Sequence, residues 1–279
     1  MILPSDFLSG MAQSSRARLA AAQQHLSADV LRGRIATLPP APQLTLDGRF
    51  DLIAELKLRS PAMGVLSGTD ADLEKRVRSY ATAGAAIVSV LTEPDRFDGS
   101  LEHLRRAAVA LAPTGVPAMR KDFLVDPYQV LEARVAGAGG VLLIVRMLDR
   151  LTLQQMMLQA AQLGLFVLLE TFDASEVETA HALARAWAGR PQDCLIGVNS
   201  RDLSTLQVDP ERLDQLADRL PRAFPRVAES GLQTPDDAAH LAAAGYNLAL
   251  VGTALMASHE PVELARQMID RGREAGAVS

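Results

Sequence analysis

The residues of this chain that could do chemistry stand at the ends of short apolar runs. In the stretch 51–61, Glu55 and Lys57 are two positions apart on a run that is otherwise apolar enough for a buried strand. Side chains two positions apart on a strand point to the same face. Two charges on such a face cost desolvation free energy unless they are paired or used. The pair is therefore either a structural ion pair at a strand end or part of an active site.

Polar residues recur at the ends of the later apolar runs. One charged residue at a strand end is ordinary, but charges at five strand ends predict a shared site. The polar residues at these ends include Glu55, Lys57, Lys121, Glu170, Asn199 and Glu229.

The elements that must position these residues are eight short apolar or β-branched runs separated by helical stretches. The predicted strands are 52–56, 86–91, 116–119, 141–145, 166–170, 194–198, 226–228 and 248–251. Asp126-Pro127 and Thr234-Pro235 predict helix starts, and Gly164 and Gly245 stand where helix C-termini need a left-handed residue. Thr152 with Gln155, and Asp173 with Glu176, are typical of capping boxes.

Eight βα units in a row predict an α/β fold, a parallel (β/α)₈ TIM barrel whose active site lies at the carboxyl ends of the strands. A doubly wound open sheet is the alternative, but no Gly-x-Gly-x-x-Gly and no P-loop follow any strand. We expect residues 1–45 to form an N-terminal helical extension, either a cap on the barrel or a segment simply packed against it, and residues 46–279 to form the barrel catalytic domain.

Within such a barrel, Lys121 is the candidate acid. We expect nearby cations such as Lys57 to lower its pKa towards neutrality, which makes proton donation practicable. Glu170, across the barrel, is the candidate base, kept apart from Glu55 and Glu229 so that their protonation states differ. The alternative for any one of them is a salt-bridge network at the barrel mouth.

Two further features indicate a substrate. Ser230-Gly231 and Gly252-Thr253 follow the seventh and eighth runs, where this fold commonly binds phosphate, although such glycines also simply end strands. Phe97 and Phe123 stand beside the polar cluster in a chain with only 4% aromatic residues, where they could flank an aromatic ring.

Composition excludes several functional classes. The net charge of −5 argues against a nucleic-acid footprint, and no apolar run approaches the length of a membrane span. Cys194 is the only cysteine, and the five histidines show no metal-ligand spacing, so we expect neither a disulfide within the chain nor a metal. Asp6 precedes Arg16 and Arg18, the wrong order for a signal peptide. We expect a cytoplasmic protein that is a monomer, with a weak homodimer as the alternative.

Several stretches together resemble one family across nearly the whole chain. They are 53–61, 89–93, 97–100, 120–129 (Arg-Lys-Asp-Phe-Leu-Val-Asp-Pro-Tyr-Gln), 142–145, 197–203 (Gly-Val-Asn-Ser-Arg-Asp-Leu), 228–231 and 251–256. In this order and on successive strands they resemble indole-3-glycerol phosphate synthase, an enzyme of tryptophan biosynthesis.

The resemblance implies a decarboxylating ring closure without a metal or cofactor. The substrate would be the phosphorylated small molecule 1-(2-carboxyphenylamino)-1-deoxyribulose 5-phosphate, and the product indole-3-glycerol phosphate. By this likeness Lys121 is the general acid and Glu170 the base, with Glu55 and Lys57 near the reacting centre. Asn199 and Glu229 hold the sugar hydroxyls and position Lys121.

The same resemblance implies the binding residues. Ser60 and Lys57 receive the substrate carboxylate. Phe97, Phe123 and Leu142 line the pocket for the aromatic ring, and the phosphate end includes Arg201, Ser230, Gly231, Gly252 and Thr253.

The chain departs from the family at Ala62-Met63 and at Thr171-Phe172, where Val-His is frequent. These departures leave room for a relative that serves a secondary pathway. Two rival functions remain. Phosphoribosylanthranilate isomerase would need a cysteine on the first strand, where Glu55 and Lys57 stand instead. A barrel that binds a sugar phosphate without catalysis is the other.

Overall fold

The computed structural model describes residues 6–57, 59–60, 64–65, 72–203, 205 and 207–277, without the side chains of Asp6, Ser60, Gly64 and Val65. Eight parallel strands close into a barrel in chain order, which confirms the predicted (β/α)₈ fold. They are β1 Asp51–Leu56, β2 Ile87–Leu91, β3 Ala118–Lys121, β4 Gly140–Ile144, β5 Phe166–Thr171, β6 Cys194–Asn199, β7 Arg226–Glu229 and β8 Leu248–Val251.

Strand β3 is shifted by two residues from its predicted position. Gly115 has a positive φ of 75°, and Pro117 has no N–H to give to a strand ladder, so pairing begins at Ala118. The shift makes Lys121 the last residue of the strand. Its backbone is therefore held by pairing with Leu91 of β2.

Twelve α-helices lie in the described part of the chain. They are α1 Asp6–His25, α2 Ala28–Ile35, α3 Leu73–Ala83, α4 Pro94–Phe97, α5 Leu101–Leu111, α6 Pro127–Val135, α7 Arg150–Gln162, α8 Ala174–Ala184, α9 Arg212–Ala217, α10 Pro235–Ala243, α11 Thr253–Ala257 and α12 Pro261–Gly276. None of these helices, as far as the structure describes them, is long and apolar enough to cross a membrane.

The predicted helix boundaries are mostly confirmed. Asp126 and Thr234 cap α6 and α10, each with proline at the first helical position. The predicted capping box at Thr152 is wrong, because Asp149 accepts from the Thr152 N–H and starts α7 three residues earlier. Asp173 caps α8, but the Glu176 side chain bonds to Phe172 N and Arg146 instead of completing a box.

Alternate strand residues divide the core into two clusters. One lies between the strands and the outer helices. The other fills the barrel and includes Ile53, Met119, Leu168, Val227 and Leu250. Because the inward positions continue in steps of two along each strand, the next inward residues towards the carboxyl ends are the candidate chemical residues.

The two N-terminal helices pack against the barrel at different places. Helix α2 buries Leu31 against Tyr128 and Leu131 of α6. Helix α1 lies at the barrel mouth, where Phe7 lines the central cavity and Arg18 pairs with Asp122.

Candidate active site

A cavity of about 460 Å³ opens at the carboxyl ends of the strands. All the predicted site residues line it apart from Ser60, which lies in a two-residue strand and whose side chain is outside the described part. The lining set among the predicted residues is Glu55, Lys57, Phe97, Lys121, Phe123, Leu142, Glu170, Asn199, Arg201, Glu229, Ser230, Gly231, Gly252 and Thr253. Strand-end spacing and the family resemblance together therefore identified residues that the fold brings together.

Four charged residues form one layer across the floor of this cavity. Glu55, Lys121, Glu170 and Glu229 come from the four odd-numbered strands, and in this fold alternate strands supply the members of a layer. Lys121 Nζ lies 3.5 Å from Glu229 Oε2 and 3.8 Å from Glu170 Oε2. The ammonium is thus placed between two buried carboxylates.

The prediction of a lowered Lys121 pKa is wrong. Burial lowers the pKa of this ammonium, but the charges of Glu170, Glu229 and Glu55 outweigh burial and raise it above its ordinary value. Lys57 was expected to act as a repelling cation, yet it is itself paired with Glu55. Lys121 is therefore held in its charged form at neutral pH.

Glu170 and Glu229 both lie beside Lys121, although the sequence suggested that they are kept apart. Their carboxylates differ in their hydrogen-bond partners. Asn199 Nδ2 donates to Glu170 Oε1 at 2.5 Å. Glu229 Oε1, in contrast, has no hydrogen-bond partner within the described residues. Burial and the neighbouring charge of Glu170 raise the pKa of Glu229, against the opposing effect of Lys121.

Glycines make room for two of these carboxylates. A Cβ at Gly197 would collide with Glu229 Oε1, and a Cβ at Gly252 would collide with Glu55 Oε1. Neither glycine has a positive φ, so the requirement is for space and not for backbone freedom.

Glu55 and Lys57 form the ion pair that their spacing predicted, and the pair lies inside the site. Lys57 Nζ is 3.1 Å from Glu55 Oε1 and donates to Thr253 Oγ1 at 3.0 Å. Lys57 thereby connects the end of β1 to the start of α11. The structural interpretation of this pair is confirmed, and both residues also line the cavity.

Loops after β6, β7 and β8 form the side of the cavity where phosphate was expected. Ser230 and Gly231 have consecutive positive φ values of 69° and 90°, and the left-handed region is unusual for a serine. Ser200 supports this turn, because its hydroxyl donates to the backbone oxygens of Glu229 and Ser230, each at 3.2 Å. These two hydrogen bonds stabilise the turn at Ser230-Gly231.

The opposite side of the cavity is aromatic and includes a residue that sequence reasoning missed. The Phe97 and Phe123 ring centroids are 6.3 Å apart, and Phe7 of α1 packs edge-on to Phe123 at 6.0 Å. Leu142 and Ile144 complete the wall. The helical spacing around Phe7 predicts an amphipathic helix, but no local signal says that its first turn reaches a site formed by β3.

The Thr171-Phe172 departure lies at the carboxyl end of β5. Phe172 is buried in the inner cluster, and the Arg146 guanidinium lies 4.3 Å from its ring centroid. Thr171 Oγ1 donates to the backbone oxygen of Gly197 at 2.7 Å. The Ala62-Met63 departure lies outside the described residues.

Cys194 lies far from this chemistry. It is the first residue of β6, fully buried, and burial together with Asp193 raises the pKa of its thiol to about 12. Such a thiol is unreactive, which argues against the cysteine-dependent isomerase. Within the described residues, no group of three His, Cys, Asp or Glu side chains is arranged to hold a metal ion.

Comparison with known proteins agrees with this geometry. The family described as Indole-3-glycerol phosphate synthase matches residues 8–268. Curated relatives bear the same name. One from a Parafrankia species is 40% identical over 261 residues and covers 92% of each chain. One from a Nocardioides species is 43% identical over 229 residues, covering 82% of this chain and 83% of the relative. One from Mycobacterium tuberculosis is 36% identical over 272 residues and covers 96% of each chain.

Solved structures support the fold alone. A 3-hexulose-6-phosphate synthase from Salmonella typhimurium superposes with a TM-score of 0.61 at 14% identity, covering 81% of this chain and all of that one. A thiamine phosphate pyrophosphorylase from Pyrococcus furiosus gives a TM-score of 0.58 at 14% identity, covering 82% and 98%. The sequence relatives span nearly the whole barrel and its N-terminal helices, and the chain belongs to the indole-3-glycerol phosphate synthase family.

Proposed function

We propose that the cavity closes the pyrrole ring of indole-3-glycerol phosphate from 1-(2-carboxyphenylamino)-1-deoxyribulose 5-phosphate, with loss of carbon dioxide and water. The observation that carries this proposal is the Lys121 ammonium, held between Glu170 and Glu229 on the cavity floor. An aromatic wall lies on one side of it and a preformed loop pair on the other. The reaction belongs to tryptophan biosynthesis.

The substrate is oriented by its two ends. Its anthranilate ring lies against Phe97, Phe123 and Leu142, and its carboxylate faces Lys57 and Ser60. Its phosphate accepts from the backbone N–H groups of the loops after β7 and β8, and Arg201 adds a positive charge near that end. The proposal assigns four residues to the phosphate loops, namely Ser230, Gly231, Gly252 and Thr253.

Chemistry begins at the ketone. The aromatic carbon that bears the carboxylate attacks the carbonyl carbon, and Lys121 donates a proton to the carbonyl oxygen as negative charge develops there. The carbon–carboxylate bond then breaks, its electron pair restores the aromatic ring, and carbon dioxide leaves. Because nearby carboxylates raise the Lys121 pKa, the lysine enters the reaction as an ammonium, and its positive charge stabilises the oxyanion as it develops.

Dehydration follows in the same site. Lys121 takes up a proton from solvent after the first transfer, because loss of carbon dioxide from the carboxylate consumes one proton overall. The new hydroxyl then leaves as water with this second proton from Lys121, while Glu170 accepts a proton from the ring that is forming. Asn199 fixes the Glu170 carboxylate through the hydrogen bond to Oε1, and Glu229 holds Lys121 and a sugar hydroxyl. Glu55 keeps Lys57 in place beside the reacting centre.

The direct test is to mix the purified chain with this substrate in chelating buffer and to follow indole absorbance and fluorescence. A rising signal supports the substrate, the reaction class and the lack of a metal requirement together. A flat signal with substrate still bound would favour the barrel that only binds.

We infer that the protein works as a monomer in the cytoplasm. Sedimentation velocity over a concentration series checks the first point. A dimer that persists at nanomolar concentration would contradict it.

A further inference from the structure

A buried ion pair ties the N-terminal helix to the residue that follows the catalytic lysine. Arg18 Nη1 and Nη2 donate to Asp122 Oδ2 and Oδ1, both at 2.9 Å, in a bidentate arrangement. The Asp122 side chain is fully buried, and that of Arg18 is 26% exposed. The pair joins elements that are 104 residues apart in the chain.

Asp122 is itself held firmly from the barrel side. Its Oδ2 accepts from Thr92 Oγ1 at 2.8 Å and lies 3.3 Å from Arg120 Nη2, and its Oδ1 accepts from the Phe123 N–H at 2.8 Å. The carboxylate therefore fixes the backbone between Lys121 and Phe123. Arg18 attaches α1 to this fixed point.

Helix α1 is otherwise attached by apolar contacts and by two serine hydrogen bonds. Among its described side chains, Met11, Ala12 and Ser15 are buried, and four more pack partly buried against the core clusters, namely Phe7, Leu8, Leu19 and Ala22. Ser15 accepts a hydrogen bond from Gln129 at 2.9 Å, and Ser14 donates to Asp95 at an exposed position. Among these contacts of the described residues the Arg18 pair is the one ion pair, and its anion is buried.

Docking of α1 through Arg18 also places Phe7, which lies about three helical turns before Arg18 on the same helix. Phe7 lies in the first turn of α1 and packs edge-on to Phe123, so the aromatic side of the cavity is complete only while α1 is docked. Arg18 and Phe7 thus contact neighbouring residues, Asp122 and Phe123, from two positions on one rigid helix.

We propose that Arg18 is a positioning residue for substrate affinity, acting through α1. The docked fraction of α1 sets the fraction of molecules with a complete aromatic wall, and the apparent affinity for the substrate ring falls in proportion to that fraction. This inference rests on the proposed function, because it concerns the ring pocket of the same site.

The test compares Arg18→Met with Arg16→Met, which removes an exposed arginine two positions away on the same helix. A charge-assisted bidentate pair is strong enough that Arg18→Met is expected to raise KM about tenfold, with a smaller change in kcat. Arg16→Met should leave both constants unchanged. Arg18→Lys keeps the charge without the bidentate geometry and should recover part of the lost affinity.

Hydrogen exchange of α1 gives a readout that needs no activity. Amides of α1 should exchange faster in Arg18→Met than in Arg16→Met, while those of β3 stay protected. If both variants exchange alike and share the KM of the parent chain, the positioning role is overturned. If α1 exchanges faster in Arg18→Met but KM stays unchanged, its link to substrate affinity is overturned. Failure of the parent chain itself to form indole product would count against the proposed function and leave the exchange result standing.

Discussion

Strand β3 carries a buried charge cluster on each of its two faces, and the clusters differ in how completely their charges are satisfied. Towards the helices, Arg120 and Asp122 join Arg18 and Glu132, two cations and two anions. Towards the barrel axis, Lys121 faces Glu170 and Glu229, with Glu55 paired to Lys57 nearby. The inner cluster therefore holds three carboxylates and two ammonium groups.

The pKa shifts of Asp122 in the outer cluster and Glu229 in the inner cluster follow this difference in how completely the charges are satisfied. Burial disfavours the Asp122 anion, but Arg18, Arg120 and Thr92 overcome burial and lower the Asp122 pKa to about 2. In the inner cluster, burial and Glu170 raise the Glu229 pKa, and one Glu229 oxygen has no partner in the described residues. A satisfied buried network rigidifies the fold, whereas an incompletely satisfied one retains groups that can bind a substrate and move protons.

The largest expected effect follows from removing the inner cation. Lys121→Met should lower kcat by at least about a thousandfold, because it removes both the proton donor and the charge that stabilises the oxyanion. Lys75→Met, on the exposed side of α3, is the matched control and should leave kcat unchanged. Steady-state indole fluorescence measures both. Equal activities of the two variants would remove Lys121 from the mechanism.

Breaking the outer cluster should lower the free energy of unfolding more than it lowers kcat. Asp122→Asn leaves Arg18 and Arg120 without their shared anion, and loss of one partner of a buried pair costs about 3 kcal/mol of unfolding free energy. Asp29→Asn, which removes an exposed carboxylate paired within α2, should cost less than about 0.5 kcal/mol. Urea unfolding measures both, and similar midpoints would show that the outer network is not a stabilising element.

The space that the Glu229 carboxylate occupies can be filled without changing any charge. Gly197→Ala places a Cβ where Glu229 Oε1 lies and should move this carboxylate away from Lys121, lowering kcat about tenfold to a hundredfold. Gly33→Ala, on α2 with open space around it, serves as the control. A fully active Gly197→Ala variant would mean that Glu229 does not position Lys121.

The smallest effect concerns acid stability. Asp122 has a folded pKa of about 2 against an ordinary value of 3.8. A lowered folded pKa contributes stability that is present above pH 4 and lost as pH falls towards 2, here about 2 kcal/mol. Asp122→Asn should lack this part of the acid destabilisation. If the parent chain and Asp122→Asn lose the same free energy of unfolding between pH 4 and pH 2, the acid destabilisation does not come from Asp122.

The sequence predicted those features that depend on local pattern. Residues at the ends of apolar runs, such as Glu55 and Glu170, had to meet once the runs formed a barrel, because the carboxyl ends of its strands share one face. The docking of Arg18 on Asp122 joins distant segments, and no periodicity predicts which surface α1 covers. The direction of the Lys121 pKa shift depended on which charges lie within a few ångströms, and spacing alone suggested Lys57 instead of the glutamates.

The central claim, that Lys121 stays charged because carboxylates surround it, can be measured directly. The lysines of the chain are Lys57, Lys75 and Lys121, so carbon-13 labelling at lysine Cε gives three signals that single substitutions assign. We expect the Lys121 signal to remain that of an ammonium beyond the pH at which a lysine side chain ordinarily loses its proton. Titration of Lys121 near neutral pH would contradict the claim and restore the lowered pKa that the sequence suggested.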